Sequence, residues 1–409
     1  MVATGPSLKD FLDADFRANP EYELVLFDRL SVERQAILAG LKDDPLFYGI
    51  LQPRGPSDLT IKAVCQETAL LFLTLQTAGP LPAYLRASLG ENCQRTVAQL
   101  VLDGVLGIAD GQTFLTRSAA SALLFTAGAR AEPGQGRLAR LSIEALRYGQ
   151  ALEMDDAGKL SARLYFFNRL PATPAWLRRF PDSGAVNRYL KLTEGGACHQ
   201  ALLRGWREMS PNAQSGGWRM WVQTREPGPG DRGSSNYKLY VSPQCDEVPE
   251  ALAAIVETLS RMPQSCFKIG SDVYGLLRPD KIIAYFTNFE QLEEAAQKLY
   301  TRLQGCSVQG VPFSAELAGD GLLSWGMDPP RAQRTHGYQE QESWRLWLSN
   351  RLALALVGAR NSPSGANAVE PWRFALDRMA LEGVDTATWT PRPDIWSDPL
   401  QSREAYADH

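Results

Sequence analysis

Along this chain, apolar residues first recur at helical spacing and later gather into short β-prone runs separated by amphipathic helices. Residues 1–56 read as a helical and irregular segment, with a helix over Val32–Leu41 introduced by Ser31. An apolar helix follows over Ile61–Gln76, stopped by Gly79-Pro80, and then helices over Leu81–Leu89 and Glu91–Leu102. Asp103–Leu115 has the pattern of a two-stranded wing with an Asp-Gly turn. Three helices and a wing point to a winged-helix-like module over 57–130. Residues 131–224 read as a helical connecting region, with helices near Leu138–Tyr148 and Ala201–Met209.

The clearest break is 225–236, where Pro, Gly and Ser crowd together; it reads as a linker or as a lid loop. Beyond it, Tyr237–Val241, Cys266–Gly270 and Ile282–Phe286 read as strands, with helices over Pro249–Arg261 and Glu290–Leu303 between and after them. Leu252, Ile255, Val256 and Leu259 share one helix face. This alternation implies a mixed α/β domain over 237–390, with helices packed on its sheet. Gly321–Arg331 reads as a loop, Ser343–Ala359 as a helix, and 391–409 as a polar tail. The fold class expected is α+β.

The totals narrow the function classes. The 409 residues are 44% hydrophobic and 22% charged, with a net charge of −4. That balance argues against a chain built to coat nucleic acid or anionic membrane. The segment over Glu91–Gln99, in the place of a DNA-reading helix, carries one Arg and an acidic start, so a peptide-docking or purely structural module is the better reading, with docking the favoured of the two. No signal segment or membrane-spanning run is apparent, and six scattered cysteines without a CxxC pair read as reduced thiols, so a cytoplasmic protein is expected. Three histidines make a His-rich metal centre improbable. Gly228-x-Gly230-x-x-Gly233 has the letters of a dinucleotide loop but no helix after it, and His199 beside Cys198 makes no dyad.

Chemistry concentrates after the break. Alternation along a strand puts Lys238 and Tyr240 on the same side. Lys268, Arg278 and Lys281 follow on later elements, so a pocket for an anion is foreseen. Lys238 is the candidate base, provided neighbouring cations depress its pKa, and Tyr240 the candidate proton donor. Lys268, Arg278 and Arg331 are candidate phosphate holders. Lys281, Tyr285, Ser324, Trp325 and Asn350 complete the possible pocket, with no metal ligand among them.

Tyr237–Ser242 resembles the Lys-x-His-x-Ser strand of the phosphothreonine lyases secreted by type III systems. The Phe267-Lys268 strand, Arg278-Pro279-Asp280, and Ser324-Trp325-Gly326 with Arg331 resemble recurring elements of HopA-type effectors and class V lanthipeptide lyases. The resemblance covers about 235–360. It implies a phosphothreonine or phosphoserine lyase that acts on a phosphorylated precursor peptide without metal or cofactor, with a kinase and a leader peptide as possible partners. One departure is that Tyr240 stands where the lyases have an acid His. A non-catalytic phosphopeptide-binding effector is the alternative, and a DNA-binding regulator the least favoured.

Overall fold

The computed structural model describes residues 8–42, 44–55, 59–126, 134, 136–209, 217–224, 236–263, 266–329, 342–361, 369–393 and 396. Residues 225–235 of the expected linker or lid loop at 225–236, and Arg331, lie outside them. The fold is α+β and is organised by a seven-stranded sheet. Its strands run in the spatial order Ala315–Leu317, Leu323–Met327, Tyr237–Val241, Ile282–Phe286, Cys266–Gly270, Trp218–Gln223, Trp206–Glu208. Every pairing is antiparallel.

One face of this sheet is the dry core. Leu239, Phe267, Ile269, Ala284 and Trp221 project from it against the helices Val248–Leu259 and Phe289–Arg302. The helix face foreseen from Leu252, Ile255, Val256 and Leu259 is fully sequestered there, each side chain at most 1% exposed. Burial of such side chains contributes about 1.5–3 kcal/mol apiece. The other face carries the cations and lies under the start of the helix Trp344–Arg360. That helix packs against Ala157–Tyr165 and Pro371–Leu381. Gly326 makes the close approach possible: a Cβ there would collide with the Trp344 ring.

Several expectations need correction. The segment 1–56 is not mainly helical: Asp15–Ala18, Tyr22–Val25 and Gly49–Pro53 are strands. Asp15–Ala18 alternates exposed and buried positions, a period-two signal too short to stand out by itself. It pairs with Leu106–Asp110, which also pairs with Thr113–Leu115 in the hairpin foreseen as a wing. The resulting four-stranded sheet therefore crosses the boundary drawn at 57. Val32–Ile37 is helical and capped by the Ser31 hydroxyl, yet Val32 and Ile37 are 84% and 61% exposed, so its apolar spacing does not mark a core face.

The connecting region is not wholly helical either. Trp206–Glu208 and Trp218–Gln223 are sheet strands, so the main sheet begins well before 237. Leu323–Met327, expected as loop, is a strand in mid-sheet. Its Gly326 weakens the sequence signal for a strand while permitting the contact with Trp344. No helix among the described residues is long and apolar enough to cross a membrane.

Candidate functional site

Residues directly opposite one another on paired strands project to the same face of a sheet. Lys238 pairs with Tyr285 and Gly326, and Tyr240 with Ile283 and Ser324. Ile283 in turn pairs with Lys268, and Tyr285 with Cys266. Register alone therefore gathers Lys238, Tyr240, Lys268, Tyr285 and Ser324 on one face. The Tyr285 ring links the two lysines, with their Nζ atoms 5.7 Å (Lys238) and 5.6 Å (Lys268) from its centroid.

Lys238 is engaged. Its Nζ lies 2.6 Å from both oxygens of Asp328, and one of these also accepts the Trp344 backbone N–H at 2.9 Å. The amine is thus taken up by both carboxylate oxygens, whereas a general base must be open to the substrate proton.

Lys268 is in a different situation. It is half-buried, and among the described residues no carboxylate oxygen lies within 4.0 Å of it. Its nearest companions are rings: Nζ sits 4.5 Å from the centroid of Trp218. Burial, reinforced by the like charge of Lys238, lowers its pKa to about 8. Arg278 lies over the same indole, 4.8 Å from the Trp218 centroid.

Arg278 is fixed by a fork. Its Nε and Nη2 donate to Asp280 at 2.8 and 3.0 Å, and Nη2 also donates to the Tyr165 hydroxyl at 3.1 Å. Asp280 is shared with the buried Arg345, whose Nη1 donates to it at 2.7 Å. Burial alone would raise the Asp280 pKa, but Arg345 and Arg278 hold it well below the usual carboxylate range. Arg345 is tied further to the carbonyls of Pro312 and Tyr165. Asp280 thus keeps two guanidinium groups in place while neutralising one charge.

Tyr240 is 2% exposed, and burial raises its pKa well above the ordinary phenol value. Its hydroxyl has no hydrogen-bond partner among the described residues. It is a hydrogen-bond donor rather than a ready acid. Tyr285 is likewise shifted upward by burial.

Three expected pocket residues are placed elsewhere. Lys281 is fully buried, donating to the Pro243 carbonyl at 2.8 Å and to the Gln309 side chain. Trp325 pairs with Leu239, so it faces the opposite side of the sheet and packs on Phe289 at 4.7 Å. Asn350 is taken up by Ser161 and Glu342. Ser324 shares the cationic face but is fully buried, its hydroxyl bonded to that of Ser314 at 2.9 Å.

Sequence reasoning passed over Trp218, Tyr165, Asp328 and Arg345, and gave Asp280 no role. Trp218, Met220 and Val222 do alternate with Arg219, Trp221 and Gln223, and that period was available as a strand signal. Nothing local marks Tyr165, Asp328 or Arg345.

A cleft of about 470 Å³ lies away from this face, lined in part by Lys62, Asp103, Arg351, Arg378 and Glu382. Asp103 and Glu382 are bonded there to Arg378 and Lys62. Charge, not cavity size, therefore marks the Lys268 face as the candidate site.

No family model matches the chain, and no curated protein does. Among solved structures it is similar to an effector protein from Pseudomonas syringae pv. tomato strain DC3000, at 10% identity and a TM-score of 0.38. That likeness covers 61% of this chain and 97% of the other. An effector protein from Pseudomonas syringae pv. syringae strain 61 is similar at 13% identity and a TM-score of 0.35, covering 62% and 96%. The type III effector/phosphothreonine lyase OspF from Shigella flexneri is similar over 37% of this chain and 83% of its own, at 11% identity and a TM-score of 0.26.

Proposed function

We propose that this face binds a peptide carrying phosphothreonine or phosphoserine and removes the phosphate by β-elimination. The observation that carries the reading is Lys268: a half-buried amine without a carboxylate partner among the described residues, between two cations that have their own. Neutral Lys268 takes the Cα proton. The C–H electrons form the Cα=Cβ bond, the Cβ–O bond breaks, and phosphate leaves with that electron pair. Lys238 and Arg278 hold the phosphoryl oxygens, Arg278 through Nη1, since its Nε and Nη2 are taken by Asp280 and Tyr165, and Lys238 as a point charge. Tyr240 offers a hydrogen bond to the departing oxygen. The base is thus Lys268, in place of the Lys238 expected from sequence, because the Lys238 amine is already bonded to both oxygens of Asp328.

In a peptide-modifying pathway the phosphoryl group would come from a kinase, with residues 57–130 as a docking module. A binding-only protein is the second reading, favoured by the raised pKa of Tyr240. Incubation with a phosphothreonine peptide separates the two by mass spectrometry. Elimination leaves dehydrobutyrine with loss of the elements of phosphoric acid, whereas an unchanged mass with saturable binding supports the second. Recovery of threonine would mean hydrolysis and would refute both.

A further inference from the structure

A further cation, Arg169, stands beside this face, sharing the Phe166 ring with Arg278. Arg169 follows the helix Ala157–Tyr165, and Asn168 before it has a left-handed φ of 66°. The turn is stitched in place: Asn168 Nδ2 donates to the carbonyls of Gln309 and Gly310 at 2.9 Å each, and the Leu170 N–H donates to Leu277. A strained non-glycine residue held by such bonds is a common way to present the next side chain rigidly.

The Arg169 guanidinium donates to the Tyr274 carbonyl at 2.9 Å and lies 5.4 and 5.6 Å from the Phe166 and Tyr274 ring centroids. Arg278 lies over the same Phe166 ring, at 5.2 Å. Arg169 is half-buried, yet Phe166 and Tyr274 are 38% and 51% exposed, so the shelf they form is open. Among the described residues no carboxylate oxygen lies within 4.0 Å of Arg169. The acids whose charge reaches it are occupied: Asp280 by Arg278 and Arg345, and Asp272 by the Gly275 N–H at 2.7 Å. A partly desolvated guanidinium with a fixed geometry and exposed aromatic walls suits a planar carboxylate from outside the chain.

We infer that Arg169, with Phe166 and Tyr274, is a subsite for an acidic side chain of the same peptide whose phosphorylated residue occupies the Lys268–Arg278 face. It rests on the phosphopeptide reading and narrows it to substrates with Glu or Asp close to the phosphorylated position. Adjacent Cα atoms are about 3.8 Å apart, so neighbouring residues can serve the two guanidinium groups around Phe166.

The test uses the full chain carrying Lys268→Met, so that bound peptide is not consumed, and two fluorescein-labelled phosphothreonine peptides. They differ only in Glu or Gln at the positions flanking the phosphorylated residue. Anisotropy titration is expected to show the Glu peptide bound about tenfold tighter, as one charge-assisted pair provides. Adding Arg169→Gln should erase that difference and leave the Gln peptide unchanged. Arg169→Glu, with folding verified by thermal melting, should reverse the order. Equal binding of the two peptides without the Arg169 change overturns this inference alone. Equal weakening of both by Arg169→Gln also overturns it, since the guanidinium would then be gripping phosphate. If neither peptide binds, even to the chain with Lys268 restored, the phosphopeptide reading falls and the subsite with it.

Discussion

Replacing Lys268 by Met removes the amine and keeps most of the stem that lies against Trp218. With its pKa lowered from 10.5 to about 8, Lys268 is neutral in roughly a tenth of molecules at pH 7. At the ordinary value only about 0.03% would be, so the site makes a neutral amine some hundreds of times more available. A positioned general base contributes about 10²- to 10⁴-fold, and Lys268→Met should lower kcat by that much. Lys268→Arg keeps the charge and cannot supply the base, so it should bind phosphopeptide and fail to eliminate. In the unaltered chain kcat should rise about tenfold per pH unit below 8 and level off above it, because the base works only once deprotonated. The substrate phosphoryl group is already a dianion above about pH 6 and does not mask this limb. The assay follows dehydrobutyrine formation from a phosphothreonine peptide between pH 6.5 and 9.5. A flat profile, or undiminished turnover by Lys268→Met, would refute the assignment.

Three further outcomes follow from the packing around the site. Asp280→Ala leaves Arg278 and the buried Arg345 without their shared carboxylate and should cost about 3–5 kcal/mol of stability, measured by urea denaturation. Gly326→Ala forces a methyl into the Trp344 ring, whose Nε1 is fixed on the Phe313 carbonyl at 3.0 Å. It should lower stability by about 1–3 kcal/mol, and a melting temperature at the level of the parent would argue against the close approach. Lys281 has a pKa lowered to about 7 by burial, so between pH 7 and 10.5 the unfolded chain holds the extra proton. Stability should therefore rise with pH across that window relative to Lys281→Met, by a few kcal/mol at most, with the whole penalty present below pH 7. Parallel stability curves for the two proteins would show that Lys281 does not titrate this way.

What was legible in the sequence is what repeats locally. Strand alternation placed Lys238 and Tyr240 on one side, and helical spacing found the buried face of Val248–Leu259. The three runs that proved to be neighbouring strands were all recognised as β-prone. Their register was not: nothing in Cys266–Gly270 or Ile282–Phe286 taken alone says that Lys268 falls opposite Ile283, and that pairing decides which cations meet. Trp325 was misplaced for the same reason, since one step along a strand moves a side chain to the other face. Long-range partners were invisible altogether. Asp328 reaches Lys238 across 90 positions and Arg345 reaches Asp280 across 65, and these contacts decide which lysine is left free to act as a base.

The charge balance of the face explains why those carboxylates matter to the reaction. Lys238, Lys268, Arg278 and Arg345 stand against Asp280 and Asp328, two positive charges in excess when all are ionised. With Lys268 neutral the excess is one, which holds a phosphoryl dianion without saturating it. In the proposed step Lys268 gains the Cα proton as phosphate separates, so the excess returns to two just as the leaving group takes its full charge. The added attraction arises during bond breaking rather than at binding, and only such differential stabilisation speeds the chemical step. Were Asp328 absent, Lys238 would add its whole charge from the outset. The ground-state complex would then tighten as much as the transition state. Asp328→Asn is therefore expected to lower KM for phosphopeptide without raising kcat on the plateau above pH 8, where Lys268 is already neutral, and a matching rise in kcat there would show that the carboxylate has no part in this balance.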